Sequence, residues 1–123
     1  MKVKLRHIAH ARAGDKGNIS NVGVYAYDAE LYELIRAQLT ADAFKKHYKS
    51  IILGRVDRYE VPGIWGLNFV SQEALGGGVA NAIRIEPQGK SLSSAIMNFE
   101  IEVPERLHNH LRGWPPRTTI PQT

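Results

Sequence analysis

With 123 residues, 43% of them hydrophobic and 23% charged, the chain has the length and balance of one folded domain, and it holds no run of the roughly 18 to 20 apolar residues that spans a bilayer. Its net charge of +4 is scattered over Lys2, Lys4, Arg6, Lys45, Lys46, Arg55, Arg58, Arg106 and Arg112, and no helix-turn-helix, RNP aromatic pattern or zinc finger accompanies it, so no nucleic-acid partner is expected. The absence of cysteine excludes disulfides and thiolate chemistry and suits a cytoplasmic protein, and the basic start Met1 to Arg6 lacks the apolar run and cleavage site of a signal peptide.

In chain order, Val3 to Arg12 reads as a first strand, Val3 and Leu5 alternating with Lys2, Lys4 and Arg6. The alternation slips at His7 and Ile8, which predicts a bulge that re-aims His10 and Arg12. Next comes Arg12-Ala13-Gly14-Asp15-Lys16-Gly17-Asn18, where Gly14 and Gly17 bracket an acid and a base. Glycine reaches positive φ without steric cost, so this loop can curl its N–H groups toward one anion. Arg12 would add a forked contact, Lys16 a point charge, and Asp15 an orienting group or a base. The same residues also suit a tight hairpin in which Asp15 and Asn18 bond their own backbone. Val22, Val24 and Ala26, alternating with Gly23, Tyr25 and Tyr27, predict a second strand paired to the first.

Asp28 suits the N-cap of a helix that carries Leu31, Leu34, Ile35 and Leu39 on one face. Thr40 can cap a further helical segment with Ala43, Phe44, His47, Tyr48 and Ile51, ended by Gly54. Arg55 to Val61 reads as a third strand closed by Pro62 and Gly63. Leu67, Val70, Ala74 and Leu75 predict a short helix, with Asn68 as a cap or a binding residue, stopped by Gly76, Gly77 and Gly78. One glycine would end that helix; the other two point to close approach by a ligand or by another stretch of backbone. Val79 to Glu86 reads as the fourth strand, and Pro87-Gln88-Gly89 turns it. Ser91 can cap a last helix through Leu92, Ala95 and Ile96 to about Asn98, while Phe99 to Val103 suits helix or strand equally. Residues 105–123 form a polar, proline-rich tail, an arm laid on a neighbour.

Helices on one face of a roughly four-stranded sheet make an α+β two-layer sandwich over residues 1–104. Tyr25, Tyr27 and Tyr59 would then lie across the other face, and such exposed aromatics favour a homo-oligomer, most simply a symmetric dimer. His7 and His10, three apart on a strand, point to opposite faces, and His108 with His110 lack a third ligand, so no metal or other cofactor is expected. Gly-x-Ser-x-Gly is absent.

The blocks Ala11-Arg12-Ala13-Gly14-Asp15-Lys16-Gly17-Asn18, Asn21-Val22-Gly23-Val24, Leu67-Asn68-Phe69-Val70, Ala74-Leu75-Gly76-Gly77-Gly78 and Gln88-Gly89-Lys90 stand in one order from about Val3 to Pro104. In them the chain resembles the ferredoxin-like C-terminal domain of the AtuA acyclic terpene utilisation family, here as a stand-alone small protein. Ala13 departs from the serine usual in that family, and Gly63 from the asparagine that often follows the proline. The resemblance implies a ferredoxin-like α+β fold, an AtuA-like large-subunit partner, and a setting in terpenoid-acid or acyl-CoA catabolism, without naming a reaction. Two functions follow: an accessory or binding subunit with an anion-binding glycine loop, or a small enzyme or acyl-CoA binder acting alone through Asp15, Lys16 and Arg12.

Overall fold

The computed structural model describes residues 1–16, 19–48, 52, 54–71, 93 and 95–113, with Asp15 and Lys16 described as backbone. Six strands and two α-helices lie complete in these stretches: β1 (Lys2–Lys4), β2 (Ala9–Lys16), β3 (Ile19–Ala26), α1 (Ala29–Gln38), α2 (Ala41–His47), β4 (Val56–Val61), β5 (Gly66–Ser71) and β6 (Glu100–Glu102); Ser93, Ala95 and Ile96 are helical as well, where the last helix is expected. Strands β2, β3, β5 and β4, in that order, form one antiparallel sheet, and β1 pairs with β6 in a small second ribbon.

The alternation of β3 decides which face is covered. Val22, Val24 and Ala26 point to one side and are buried with Leu67 and Phe69 of β5, under Leu31, Tyr32, Ile35 and Leu39 of the first helical stretch and Phe44 and Tyr48 of the second. The Phe44 and Phe69 rings stack with centroids 4.3 Å apart and planes within 3°. Both helices begin at the expected caps: Asp28 accepts from the Leu31 N–H at 2.9 Å and Thr40 from the Ala43 N–H at 3.1 Å. The end of α1 is held from across the sheet, because the Arg58 guanidinium on β4 donates to the carbonyls of Arg36 and Leu39 at 2.6 and 3.0 Å. Gln38 donates to the Glu102 carbonyl and accepts from its N–H, which ties the β1–β6 ribbon to α1.

Three readings change and one left open is decided. The slip at His7 and Ile8 is a 3₁₀ turn, Leu5–His7, that separates β1 from β2 rather than a bulge within one strand. Gly14 and Asp15 are strand residues paired with Asn21 and Ser20, because β2 runs on to Lys16 opposite Ile19. The expected helix at Leu67 and Val70 is strand β5: Leu67 and Phe69 are buried while Asn68 and Val70 face the other way, a period of two set by β3 and β4 on either side. Glu100 to Glu102 is strand, paired with Lys2 to Lys4.

The first part of the tail is no free arm. Leu107 is buried, the Arg106 guanidinium reaches Glu30 at 2.9 Å, and His110 Nδ1 meets Asp28 at 2.6 Å, so the 3₁₀ turn Glu105–His110 straps the start of α1. The Arg112 N–H then donates to the His7 carbonyl, and its guanidinium lies 3.9 Å over the Tyr27 ring. The Val79 to Glu86 strand and the Ser91 cap lie outside the described residues.

Candidate functional site

The sheet face opposite the helices carries two rows of residues fixed by register. Arg12, Gly23, Asn68 and Tyr59 stand side by side across β2, β3, β5 and β4, and His10, Tyr25, Gly66 and Val61 form the next row. Tyr25 lies down on this face. A Cβ placed on Gly23 would sit 2.3 Å from the Tyr25 hydroxyl, and one on Gly66 would sit 2.9 Å from the ring edge, so any side chain at either position would lift the ring. The two glycines are therefore the bed of the tyrosine, and its hydroxyl is aimed along the sheet at the row that holds Arg12 and Asn68.

His10 lies beside Tyr25 with ring centroids 5.3 Å apart and planes inclined by 32°, and continues to Tyr27 at 6.0 Å. Together His10, Arg12, Tyr25 and Ile64 line a shallow depression of about 380 Å³. Among the described residues, the Arg12 guanidinium, the Asn68 amide and the Tyr25 hydroxyl have no hydrogen-bond partner. Donors gathered in one row and left unpaired make an anion-accepting edge on an aromatic floor.

Beside the floor the chain turns from β4 to β5 through Pro62–Ile64, and Trp65 follows at φ 54°, ψ 43°, in the left-handed region. Bulky residues are rare there, and the conformation costs about 1–2 kcal/mol relative to glycine. Tyr59, Val61, Ile64 and Trp65 are 53, 39, 57 and 41% exposed, which leaves an apolar patch on the rim of the depression.

A profile of the AtuA ferredoxin-like domain matches residues 3–102. The chain belongs to the AtuA ferredoxin-like domain family. Its α+β sandwich of a four-stranded antiparallel sheet under two helices is that domain's ferredoxin-like fold. No curated protein and no solved structure matches the chain.

Within the AtuA ferredoxin-like domain, the expected binding residues separate. Arg12 and Asn68 come together on the open face with Gly23 between them. Gly14 sits one row further along, opposite Asn21, where a Cβ would meet nothing within 4 Å. The backbones of Asp15 and Lys16 close the β2–β3 ladder opposite Ser20 and Ile19. Gly17, Asn18, Gly76, Gly77 and Gly78 lie outside the described residues. Sequence reasoning passed over Gly23, whose signal is glycine inside a strand pattern, a mark of close approach, and Gly66, which carries no such signal while the residues after it read as helix. It also passed over Ser20 and Ser71, which pair across β3 and β5 on the buried face with no partner for either hydroxyl among the described residues.

His7 bonds the Arg112 carbonyl, His47 the Ala95 carbonyl, and His110 the Asp28 carboxylate. Among the described residues no three His, Asp or Glu side chains gather to hold a metal ion, and no helix is long and apolar enough to cross a membrane.

Proposed function

We propose that this domain is an accessory binding subunit whose apolar rim docks on an AtuA-like large partner, in cytoplasmic terpenoid-acid or acyl-CoA catabolism. The observation that carries the reading is Trp65, a bulky side chain kept in a costly left-handed conformation and left half exposed beside Ile64, Val61 and Tyr59. Strain retained at an exposed aromatic is a mark of a functional surface. The depression next to it covers only one side of a small molecule, whereas ligand sites bury most of their occupant, so a second chain over the rim completes the site. The ligand is an anion, a carboxylate or the phosphate of an acyl-CoA. It is held by Arg12 with Asn68 on the open face, and Lys16, an even number of residues further along the same strand, adds a second cation in this reading. Gly76 to Gly78 belong to the same anion site in this reading. A second copy of the chain is the other partner of matching chemistry, through the same tyrosine-bearing face.

Co-expression with an AtuA-like large chain tests this. A stable complex is expected, and Ile64→Ser with Trp65→Ser should abolish it while the far-ultraviolet circular dichroism stays unchanged. Light scattering on the chain alone reads the second copy. A complex indifferent to both substitutions, or turnover of acyl-CoA thioesters by the isolated chain, would overturn the accessory reading.

A further inference from the structure

The Tyr25 ring is held flat by two glycines on two different strands, and that arrangement specifies more than an anion. A tyrosine that only covered the sheet would need no free edge, yet here the hydroxyl and the neighbouring Arg12 and Asn68 are unpartnered among the described residues, and His10 extends the aromatic floor on the other side. Along the strands, the donors of the Arg12 row and the rings of the His10 row are two residues apart, roughly 7 Å at strand spacing, with Ile64 closing the apolar end.

We propose that the depression binds a planar aromatic or heteroaromatic ring joined to an anionic group, the ring stacked on Tyr25 beside His10 and the anion on Arg12 with the Asn68 amide and the Tyr25 hydroxyl. This rests on the anion reading above and adds the ring. Stacking on a flat aromatic tolerates many ring types because each has a π face, and a guanidinium takes carboxylate or phosphate through the same fork. The anion can therefore belong to an aromatic carboxylate or to a nucleotide, and the glycine bed sets the recognition geometry in both cases.

Titration of the full ¹⁵N-labelled chain, followed by amide shifts, separates the parts. The probes are 4-hydroxybenzoate, adenosine 5′-monophosphate, adenosine, acetate and inorganic phosphate. At least one of the two ring-bearing anions should shift the amides of His10, Arg12, Gly23, Tyr25, Gly66 and Asn68 and bind about tenfold tighter than acetate or phosphate. Which of the two does so identifies the source of the anion. Arg12→Met and Tyr25→Ala should each lose about tenfold in affinity. Gly23→Ala, which keeps both groups and only lifts the ring, should lose a similar factor while the circular dichroism of the sheet is retained. Acetate and phosphate binding at Arg12 as tightly as the ring-bearing anions would overturn the ring site and leave the anion reading standing. Adenosine binding as well as its phosphate would overturn it by removing Arg12, and no shift at Arg12 with any anion would overturn both readings.

Discussion

Asp28 ties two parts of the chain that lie 82 residues apart, and replacing it tests both ties at once. Its carboxylate caps α1 through the Leu31 N–H and accepts from His110 on the strap. Partial burial pushes the carboxyl up, but the Leu31 N–H, the hydrogen bond and charge of His110 and the Glu30 N–H outweigh it and hold the group below its ordinary value. The cap is worth about 1 kcal/mol. A charge-assisted bond contributes about 1.5–3 kcal/mol when shielded, but with the His110 and Asp28 side chains 32 and 35% exposed, screening reduces it to about 1 kcal/mol. Asp28→Ala should therefore cost about 2 kcal/mol at pH 7, or roughly 8 °C in Tm. Asp28→Asn keeps a capping oxygen and should cost about half as much. The folded-state pKa is depressed, so this stabilisation is complete above the unfolded carboxylate value and is lost as pH falls through the folded one. Urea unfolding of wild type and Asp28→Asn at pH 7 and in steps from pH 4 to 2 should show the gap closing on acidification. A loss below about 0.5 kcal/mol for Asp28→Ala, or a gap that persists at pH 2, would refute the reasoning.

Arg58→Met removes the only described side-chain donor to the carbonyls of Arg36, in the last turn of α1, and Leu39, its C-cap, and should cost about 1–2 kcal/mol by denaturant unfolding, with loss of protection of the last turn in hydrogen exchange. Tyr32 is buried, with a hydroxyl unpartnered among the described residues and a pKa raised by desolvation and by the charge of Glu60, so Tyr32→Phe should be neutral or stabilising by up to about 1 kcal/mol. Trp65→Gly should raise the stability of the isolated domain by about 1 kcal/mol by relieving the left-handed backbone, measured by Tm. Phe44→Ala should cost about 3–5 kcal/mol because Phe44 and its stacking partner Phe69 are fully buried; a loss under 1 kcal/mol in urea would contradict that packing.

Some of this architecture was legible in the chain alone. Asp28 and Thr40 announce α1 and α2, and Leu31, Ile35 and Leu39 mark the covered face, because caps and helical spacing are satisfied within a few residues of the same segment. The β3 alternation of Val22, Val24 and Ala26 was readable for the same reason. The family blocks named the ferredoxin-like sandwich, and they drew attention to Arg12 and Asn68 without placing them together.

The rest depended on partners distant in sequence. Gly66 to Ser71 contains both a helical pairing, Leu67 with Val70, and a strand pairing, Leu67 with Phe69, and hydrogen bonding to β3 and β4 selects the second. Nothing near Arg58 predicts that it finishes a helix ending 20 residues earlier, and nothing near His110 predicts its bond to Asp28. Above all, the residue order supplies Tyr25 and the two glycines, while strand register places Gly23 and Gly66 beneath one ring with Arg12 and Asn68 on either side of Gly23. Local preferences act within about one turn or one pair of residues; a binding face is assembled from four strands, and only their pairing decides which residues share it.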